Sequence, residues 1–198
     1  PPSADEIRSM LPNLKRGYLL TDGHTLKKIN KHSTLDFSGV AKGYAVDRMG
    51  MYLKSLSINR YLVNIGGELT ASGNAPDQMP GWKVAILSPD SGSEMLAHIR
   101  LKNQSIATSG IYFNQFSEGE KIYSHLISPE DGSAVHDVVS ISIVSDNCGL
   151  ADALATGLAV LEPNQLQNLL REKQSLYDYL IVTKSGQHFR SNHFPQSV

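Results

Sequence analysis

Residues 138–161 read VVSISIVSDNCGLADALATGLAVL, and this stretch decides the class of fold. Val138–Val144 is rich in β-branched residues and predicts a strand. Asp146 or Asn147 then offers a side chain suited to capping a helix, which we predict from Gly149 to about Leu161. A strand followed at once by a helix indicates that the fold combines both kinds of element.

The rest of the chain supplies further elements of ordinary length. Ser3 and Glu6 match a capping box and predict a short first helix, and Asp22-Gly23 predicts a hairpin between Gly17–Thr21 and Thr25–Ile29. Apolar residues recur at threes and fours beyond Gly39, so we expect a helix to about Leu56 that packs on a sheet. The remaining predicted elements are strands at Tyr61–Ile65, Trp82–Leu87, Ala97–Leu101 and Tyr177–Thr183, a helix from Pro163 to about Glu172, and turns that include residues 89–92. The predicted fold class is α+β, with a mixed, largely antiparallel sheet and packed helices, in one domain over residues 1–198.

Composition excludes several classes of function. The 198 residues include 18 basic and 19 acidic side chains, a formal charge of -1, so nothing draws the chain to nucleic acid or to an anionic membrane. The single cysteine, Cys148, excludes an internal disulfide and a multi-cysteine metal site. No stretch approaches the roughly 20 apolar residues of a membrane span. The opening Pro1-Pro2-Ser3 lacks a methionine and a targeting signal, so we expect it to begin inside a longer precursor.

Asp152 and Thr156 form the strongest candidate site. They stand four residues apart, so on a helix the carboxylate and the hydroxyl lie on one face and present two hard oxygen atoms. Mg²⁺ prefers such ligands, few of them from protein and the rest from water and phosphate. In the alternative, Asp152 neutralises the positive end of its own helix and Thr156 is a core residue bonded back to a carbonyl.

Residues 36–47, DFSGVAKGYAVD, form a second candidate, a turn of small residues that leads from a strand into a helix. Small residues let a backbone approach a ligand closely, and a helix N-terminus attracts phosphate. Lys42 would add a cation in the first helical turn. The stretch lacks the glycine spacing and the Lys-Ser/Thr ending of a Walker loop. The alternative is a tightly packed turn with a solvated lysine.

Three shorter motifs carry groups that could meet a ligand. Tyr123–Gly132 places His125 within a strand before a Pro-and-Gly turn, and a histidine can move a proton or bond a phosphate, although most lone strand histidines do neither. Ala107–Gly110 offers the hydroxyl of Ser109, or forms only a turn. Asn64–Glu68 ends a strand in paired glycines, either a surface for close approach or again only a turn.

Taken in order, residues 36–47, 61–68, 106–110, 123–132 and 151–161 resemble the ApbE-like flavin transferases. That family's pattern has an Asp-Leu-Gly-Gly-Ile-Ala-Lys-Gly-Tyr-like turn, a Val-Asn-Ile-Gly-Gly strand end, an Ala-Thr-Ser-Gly segment, a Ser-His-Ile-like strand and an Ala-Asp-Ala-Leu-Ala-Thr helix. The resemblance covers essentially the whole chain but only the later part of the family's usual length. It implies an ApbE-like, T-fold-like core that lacks its N-terminal part. Phe37 and Ser38 replace the leucine and the first glycine of the pattern, a change that a main-chain ligand tolerates.

The resemblance also implies roles for particular residues. Mg²⁺ would be held by Asp152, Thr156 and a backbone carbonyl of the turn at Gly39. The implied FAD-binding residues are Asp36, Lys42, Ser109 and His125. The implied reaction is attack by a threonine hydroxyl of a target protein on the FMN phosphorus of FAD, with AMP leaving. His125 or Asp152 is the candidate catalytic residue that helps to remove the hydroxyl proton.

The implied partners are FAD and a protein with an acceptor threonine, such as a subunit of a membrane redox complex. The implied location is the periplasm or the cell envelope, as a lipoprotein. Two other functions stay open: an FAD pyrophosphatase in which water replaces the threonine, and a non-catalytic flavin-binding or partner-binding module. A serine hydrolase built on Ser109 and His125 is disfavoured because the chain has no Gly-x-Ser-x-Gly elbow.

Overall fold

The computed structural model describes residues 2–14, 18–21, 23–77, 79–89, 94–110, 115–119, 121–135, 138–161, 163–172 and 176–197. The helices are α1 (Ala4–Leu14), α2 (Ala41–Ser55), α3 (Cys148–Ala159) and α4 (Pro163–Glu172). The strands are β1 (Tyr18–Thr21), β2 (Thr25–Lys28), β3 (Tyr61–Ile65), β4 (Glu68–Ser72), β5 (Trp82–Leu87), β6 (Met95–Leu101), β7 (Ser105–Gly110), β8 (Gln115–Glu118), β9 (Lys121–Ser124), β10 (Val138–Ser145), β11 (Asp178–Thr183) and β12 (His188–Arg190). Among the helices in these ranges, none is long and apolar enough to cross a membrane.

The caps at two helix starts explain why these helices begin where they do. Ser3 N donates to Glu6 Oε2 at 2.7 Å and Glu6 N donates to Ser3 Oγ at 3.3 Å, which confirms the capping box of α1. Asn147 caps α3, because its Oδ1 accepts from Leu150 N at 2.7 Å. The predicted positions Gly17, Asp22 and 90–92 lie outside the described residues.

The main sheet has six strands in the order β12-β11-β10-β7-β4-β3. Every strand pairing in the described ranges is antiparallel. The pairs β1–β2, β5–β6 and β8–β9 form separate hairpins. The α+β class with a largely antiparallel sheet is therefore confirmed.

The central strand β10 is covered on both faces, which explains why its sequence is apolar almost throughout. Ile141 and Ile143 pack in one core cluster with residues of α3 and α4. Val144 points to the other face, where a second cluster includes residues of the hairpin β5–β6 such as Ile99. The sheet therefore lies between a helical layer and a hairpin.

Two motifs have a different local structure from the one predicted. Ala107–Gly110 is part of strand β7 and not a turn, because it pairs with β10, for example Ser109 with Ile141. His125 does not lie in a strand: β9 ends at Ser124, whose hydroxyl donates to the carbonyl of Leu126 at 2.9 Å and so turns the chain at His125.

The stretch that leads into α2 also differs from its prediction. Residues 29–40 contain no strand. Asp36 Oδ1 instead accepts hydrogen bonds from the backbone N of Ser38, at 2.8 Å, and from the Ser38 hydroxyl. Such a local side-chain bond favours a turn over an extended strand. By contrast, the predicted glycine turn between β3 and β4 is confirmed, since Gly66 and Gly67 have φ of 63° and 107°.

Candidate functional site

Helices α2 and α3 pass each other in close contact, and Gly43 sets their separation. A Cβ atom at Gly43 would lie 2.4 Å from the carbonyl oxygen of Cys148 and 2.8 Å from Cβ of Asp152. Both distances are shorter than any real contact, so a residue with a side chain would push the helices apart. Glycine at this position brings the start of α2 against Asp152.

Each of these two helices supplies a carboxylate to the first turn of the other. Asp152 Oδ2 accepts from Gly43 N at 2.9 Å, while Val40, the N-cap of α2, makes no side-chain hydrogen bond to its own helix. Asp47 accepts from Cys148 N at 2.9 Å and from Gly149 N at 2.8 Å. Free N–H groups and the positive end of the dipole are satisfied in this way at both helix starts. Asp152 therefore bonds to the neighbouring helix, in addition to any effect of its charge on the start of its own helix.

The three predicted metal ligands lie together at this crossing. A Cβ atom at Gly39 would be 3.1 Å from Cγ2 and 3.2 Å from Oγ1 of Thr156, so the backbone of the turn approaches that side chain. The Thr156 hydroxyl shares a hydrogen bond of 2.9 Å with Ser109 Oγ, and within the described ranges it has no hydrogen bond to a backbone carbonyl. Asp152 is 3% exposed, and no hydrogen bond in the described part of the chain engages its Oδ1.

The donor atoms around this crossing suit a hard cation. They are a carboxylate oxygen, hydroxyl oxygens and main-chain groups, the ligand types that Mg²⁺ prefers. Among the described residues, no cluster of three or more His, Cys, Asp or Glu side chains could hold a metal ion. The oxygen donors at the crossing are compatible with Mg²⁺, and the roles of Gly39, Asp152 and Thr156 as its ligands stay a prediction.

An ion pair with a buried carboxylate and a half-exposed lysine borders the crossing. Lys42 Nζ lies 2.8 Å from Oε2 of Glu68, the first residue of β4, and Glu68 is 2% exposed. Burial raises the pKa of Glu68 most, Asp152 raises it further, and Lys42 opposes both. Two carboxylates, Glu68 and Asp152, thus face the first turn of α2. Sequence analysis missed Glu68 because nothing in a strand-forming segment distinguishes a buried acid from an exposed one.

The other predicted ligand residues are exposed. Hydrogen bonds from Ser38 lower the pKa of Asp36, which lies at the turn before α2. His125 lies on the loop after β9, and in the described ranges no hydrogen bond or ion pair ties it to Asp152 or Thr156. The structure therefore groups Gly39, Lys42, Ser109, Asp152 and Thr156 at one place. Among the described residues, no hydrogen bond or ion pair joins the side chain of Asp36 or His125 to these five, although Asp36 bonds to Ser38 beside Gly39.

The protein is thus of the α+β class, with helices α2 and α3 packed on an antiparallel sheet and an oxygen-lined site where these two helices cross. Residues 1–181 match the ApbE family, in agreement with the order of the sequence motifs. The chain belongs to the ApbE family.

Curated relatives and solved structures agree with this assignment. An FAD:protein FMN transferase from Vibrio cholerae is 35% identical over 180 residues, which cover 85% of this chain and 54% of that protein. One from Klebsiella pneumoniae is 37% identical over 164 residues, 82% of this chain and 46% of that protein. The chain thus spans about half the length of the curated relatives it matches.

Two solved structures show the same fold. An ApbE protein from Thermotoga maritima superposes with a TM-score of 0.87 at 28% identity, over 97% of this chain and 62% of that one. The flavin transferase ApbE from Vibrio cholerae superposes with a TM-score of 0.84 at 31% identity, over 98% of this chain and 62% of that one. The ApbE-like fold expected from the motifs is confirmed.

Proposed function

We propose that this chain carries out the Mg²⁺-dependent transfer of FMN from FAD to a threonine hydroxyl of a target protein, with release of AMP. The observation that carries the proposal is the meeting of Asp152, Thr156, Ser109 and the Gly39 turn at the start of α2. The names of the relatives support flavin transfer as the class of reaction. The metal, the threonine acceptor and the AMP product belong to the proposal.

The residues at the crossing divide the work of holding the reactants. Asp152, Thr156 and the main chain at Gly39 would hold Mg²⁺, which when bound neutralises charge on the phosphates of FAD. Lys42 adds a positive charge in the first turn of α2, where phosphate also meets the positive end of the helix dipole. The hydrogen bond from Gly43 N fixes the Asp152 carboxylate, so one of its oxygens is positioned before ligand arrives.

His125 and Asp152 are the candidates that accept the proton of the attacking hydroxyl. Asp152 already belongs to the group at the crossing, whereas His125 is exposed on its loop. A general base has to lie within hydrogen-bond reach of the hydroxyl in the complex with substrate. His125 therefore acts only if the acceptor protein or FAD binds against the loop after β9.

The test is to incubate the chain with FAD, Mg²⁺ and an acceptor protein that contains a threonine. We expect AMP in solution and covalently bound flavin on the acceptor, measured by chromatography and by in-gel fluorescence. Asp152→Asn keeps an acceptor for Gly43 N but removes the charge, and should lower AMP release by about a hundredfold, as the loss of one preorganised electrostatic contact does elsewhere.

The matched control is Asp178→Asn. That carboxylate, at the start of β11, accepts from the hydroxyl of Ser191, just after β12, at 2.6 Å, so its loss should leave AMP release unchanged. AMP without flavin on the acceptor would instead indicate the FAD pyrophosphatase. Binding of FAD without AMP would indicate the non-catalytic module.

A further inference from the structure

The carboxylate of Glu68 is buried, which costs free energy because it loses contact with water. It directly follows the Gly66-Gly67 turn, is 2% exposed, and its Oε2 has no hydrogen-bond partner in the described residues besides the Lys42 ammonium group. A buried carboxylate loses its hydration, and only an opposite charge with good geometry offsets that loss. The neighbouring Asp152 adds a second negative charge.

The two side chains of the ion pair differ in their exposure to solvent, and this difference indicates which side chain restricts the other. The Lys42 side chain is 47% exposed, whereas the Glu68 side chain is 2% exposed. An exposed lysine side chain samples many rotamers, whereas a carboxylate packed under the helical layer is held in one rotamer. The buried Glu68 carboxylate is therefore already ordered, and its ion pair restricts the rotamers of Lys42.

Stability alone does not account for this arrangement. A pair with a half-exposed lysine gives little stability, and buried ion pairs can often be replaced by apolar residues without loss. The turn next to it runs along the lysine: a Cβ atom at Gly66 would lie 3.4 Å from Cδ of Lys42. Glu68 and the glycine turn together confine Lys42 at the first turn of α2.

We propose that Glu68 is a positioning residue, which holds the Lys42 ammonium group ready for the pyrophosphate of FAD. The proposal rests on the proposed function and names a residue that the FAD site needs beyond those that touch FAD. A lysine that is ordered beforehand loses less conformational entropy when a phosphate binds, so the affinity is higher.

A double-mutant cycle on FAD affinity tests this role. Calorimetric titration of FAD in buffer with Mg²⁺ would compare the wild-type chain with Lys42→Met, Glu68→Gln and the double variant. We expect Lys42→Met to weaken binding about tenfold, the loss of one charge-assisted hydrogen bond, and Glu68→Gln to weaken it by a smaller factor. The double variant should bind no more weakly than Lys42→Met, because Glu68 acts only through Lys42.

The matched control is Asp77→Asn, which breaks the ion pair with Arg100 at 2.9 Å elsewhere in the molecule and should leave FAD affinity unchanged. If Glu68→Gln weakens binding equally with and without Lys42, or not at all, the positioning role is wrong while the proposed function stands. If the wild-type chain does not bind FAD, the proposed function fails and the positioning role fails with it.

Discussion

At the scale of single residues, Glu68 links burial to a measurable dependence of stability on pH. Its pKa in the folded chain is raised above the ordinary value of 4.5, mainly by burial, so the folded chain keeps this proton to a higher pH than the unfolded chain. The ionisation of Glu68 therefore lowers the free energy of unfolding as the pH rises from 4.5 through the pKa of the folded chain. Glu68→Gln removes that titration, and we expect its unfolding free energy relative to wild type to increase over the same range. Urea denaturation at several pH values measures it, and a constant difference would contradict the assignment.

Cys148 gives a second prediction at this scale. The thiol is fully buried, and burial, then the carboxylates of Asp47, Glu68 and Asp152, raise its pKa to about 12. Since the thiolate is the reactive form, we expect iodoacetamide to leave the folded chain unmodified at mildly alkaline pH. Intact-mass measurement should show one adduct only after denaturation, which serves as the control. Rapid alkylation of the folded chain would show that the start of α3 opens to solvent.

The residues around the crossing of α2 and α3 show how much of a site can be predicted from sequence. Asp152, Thr156 and Gly39 could be chosen because the order of motifs identifies a family, and the structure does bring them together. The roles of Asp47 and Glu68 could not be predicted in this way, because each role depends on a partner far away in sequence. Asp47 meets the amides of Cys148 and Gly149 only after two helices have packed against the sheet.

At the scale of elements, the contact between α2 and α3 depends on a residue without a side chain. Gly43→Ala would place a methyl group 2.4 Å from the carbonyl oxygen of Cys148, so we expect a loss of more than about 2 kcal/mol in unfolding free energy. Gly157→Ala is the matched control, since nothing lies within 4 Å of its Cβ position on α3. It should gain about 0.5 to 1 kcal/mol from helix propensity. Thermal denaturation of both variants measures the contrast, and equal effects would show that α2 and α3 do not pack so closely.

Elements with a strong local pattern were predictable, and those fixed by their neighbours were not. The strand β10 and the helix α4 follow from residue type and from a proline at a helix start. Strand β7, with the sequence SIATSG, has small and polar residues that also suit a turn. It is a strand because it lies between β10 and β4 and bonds to both. Tertiary position overrides local preference in such a case.

At the scale of the whole molecule, the sheet holds the site together from residues that lie far apart in the chain. Ser109 on β7 faces α3 because it pairs with Ile141, a residue of the helical core cluster. Glu68 on β4 faces α2 through Lys42. The helical layer and the sheet therefore contribute to one site, which carries a single carboxylate among its proposed metal ligands.

That small negative charge leads to a prediction about metal binding. Asp152 is the charged member of the proposed set, while Thr156 and the main chain at Gly39 are neutral, so free Mg²⁺ should bind weakly and depend on the phosphates of the ligand. We expect calorimetric titration of Mg²⁺ to give measurable heat only when FAD or pyrophosphate is present, after subtraction of the heat from ligand and metal alone. Asp152→Asn should remove that ligand-dependent heat. Tight binding to the ligand-free chain would mean that further carboxylates act as ligands, and Glu68 would be the first to examine because it faces the same turn of α2.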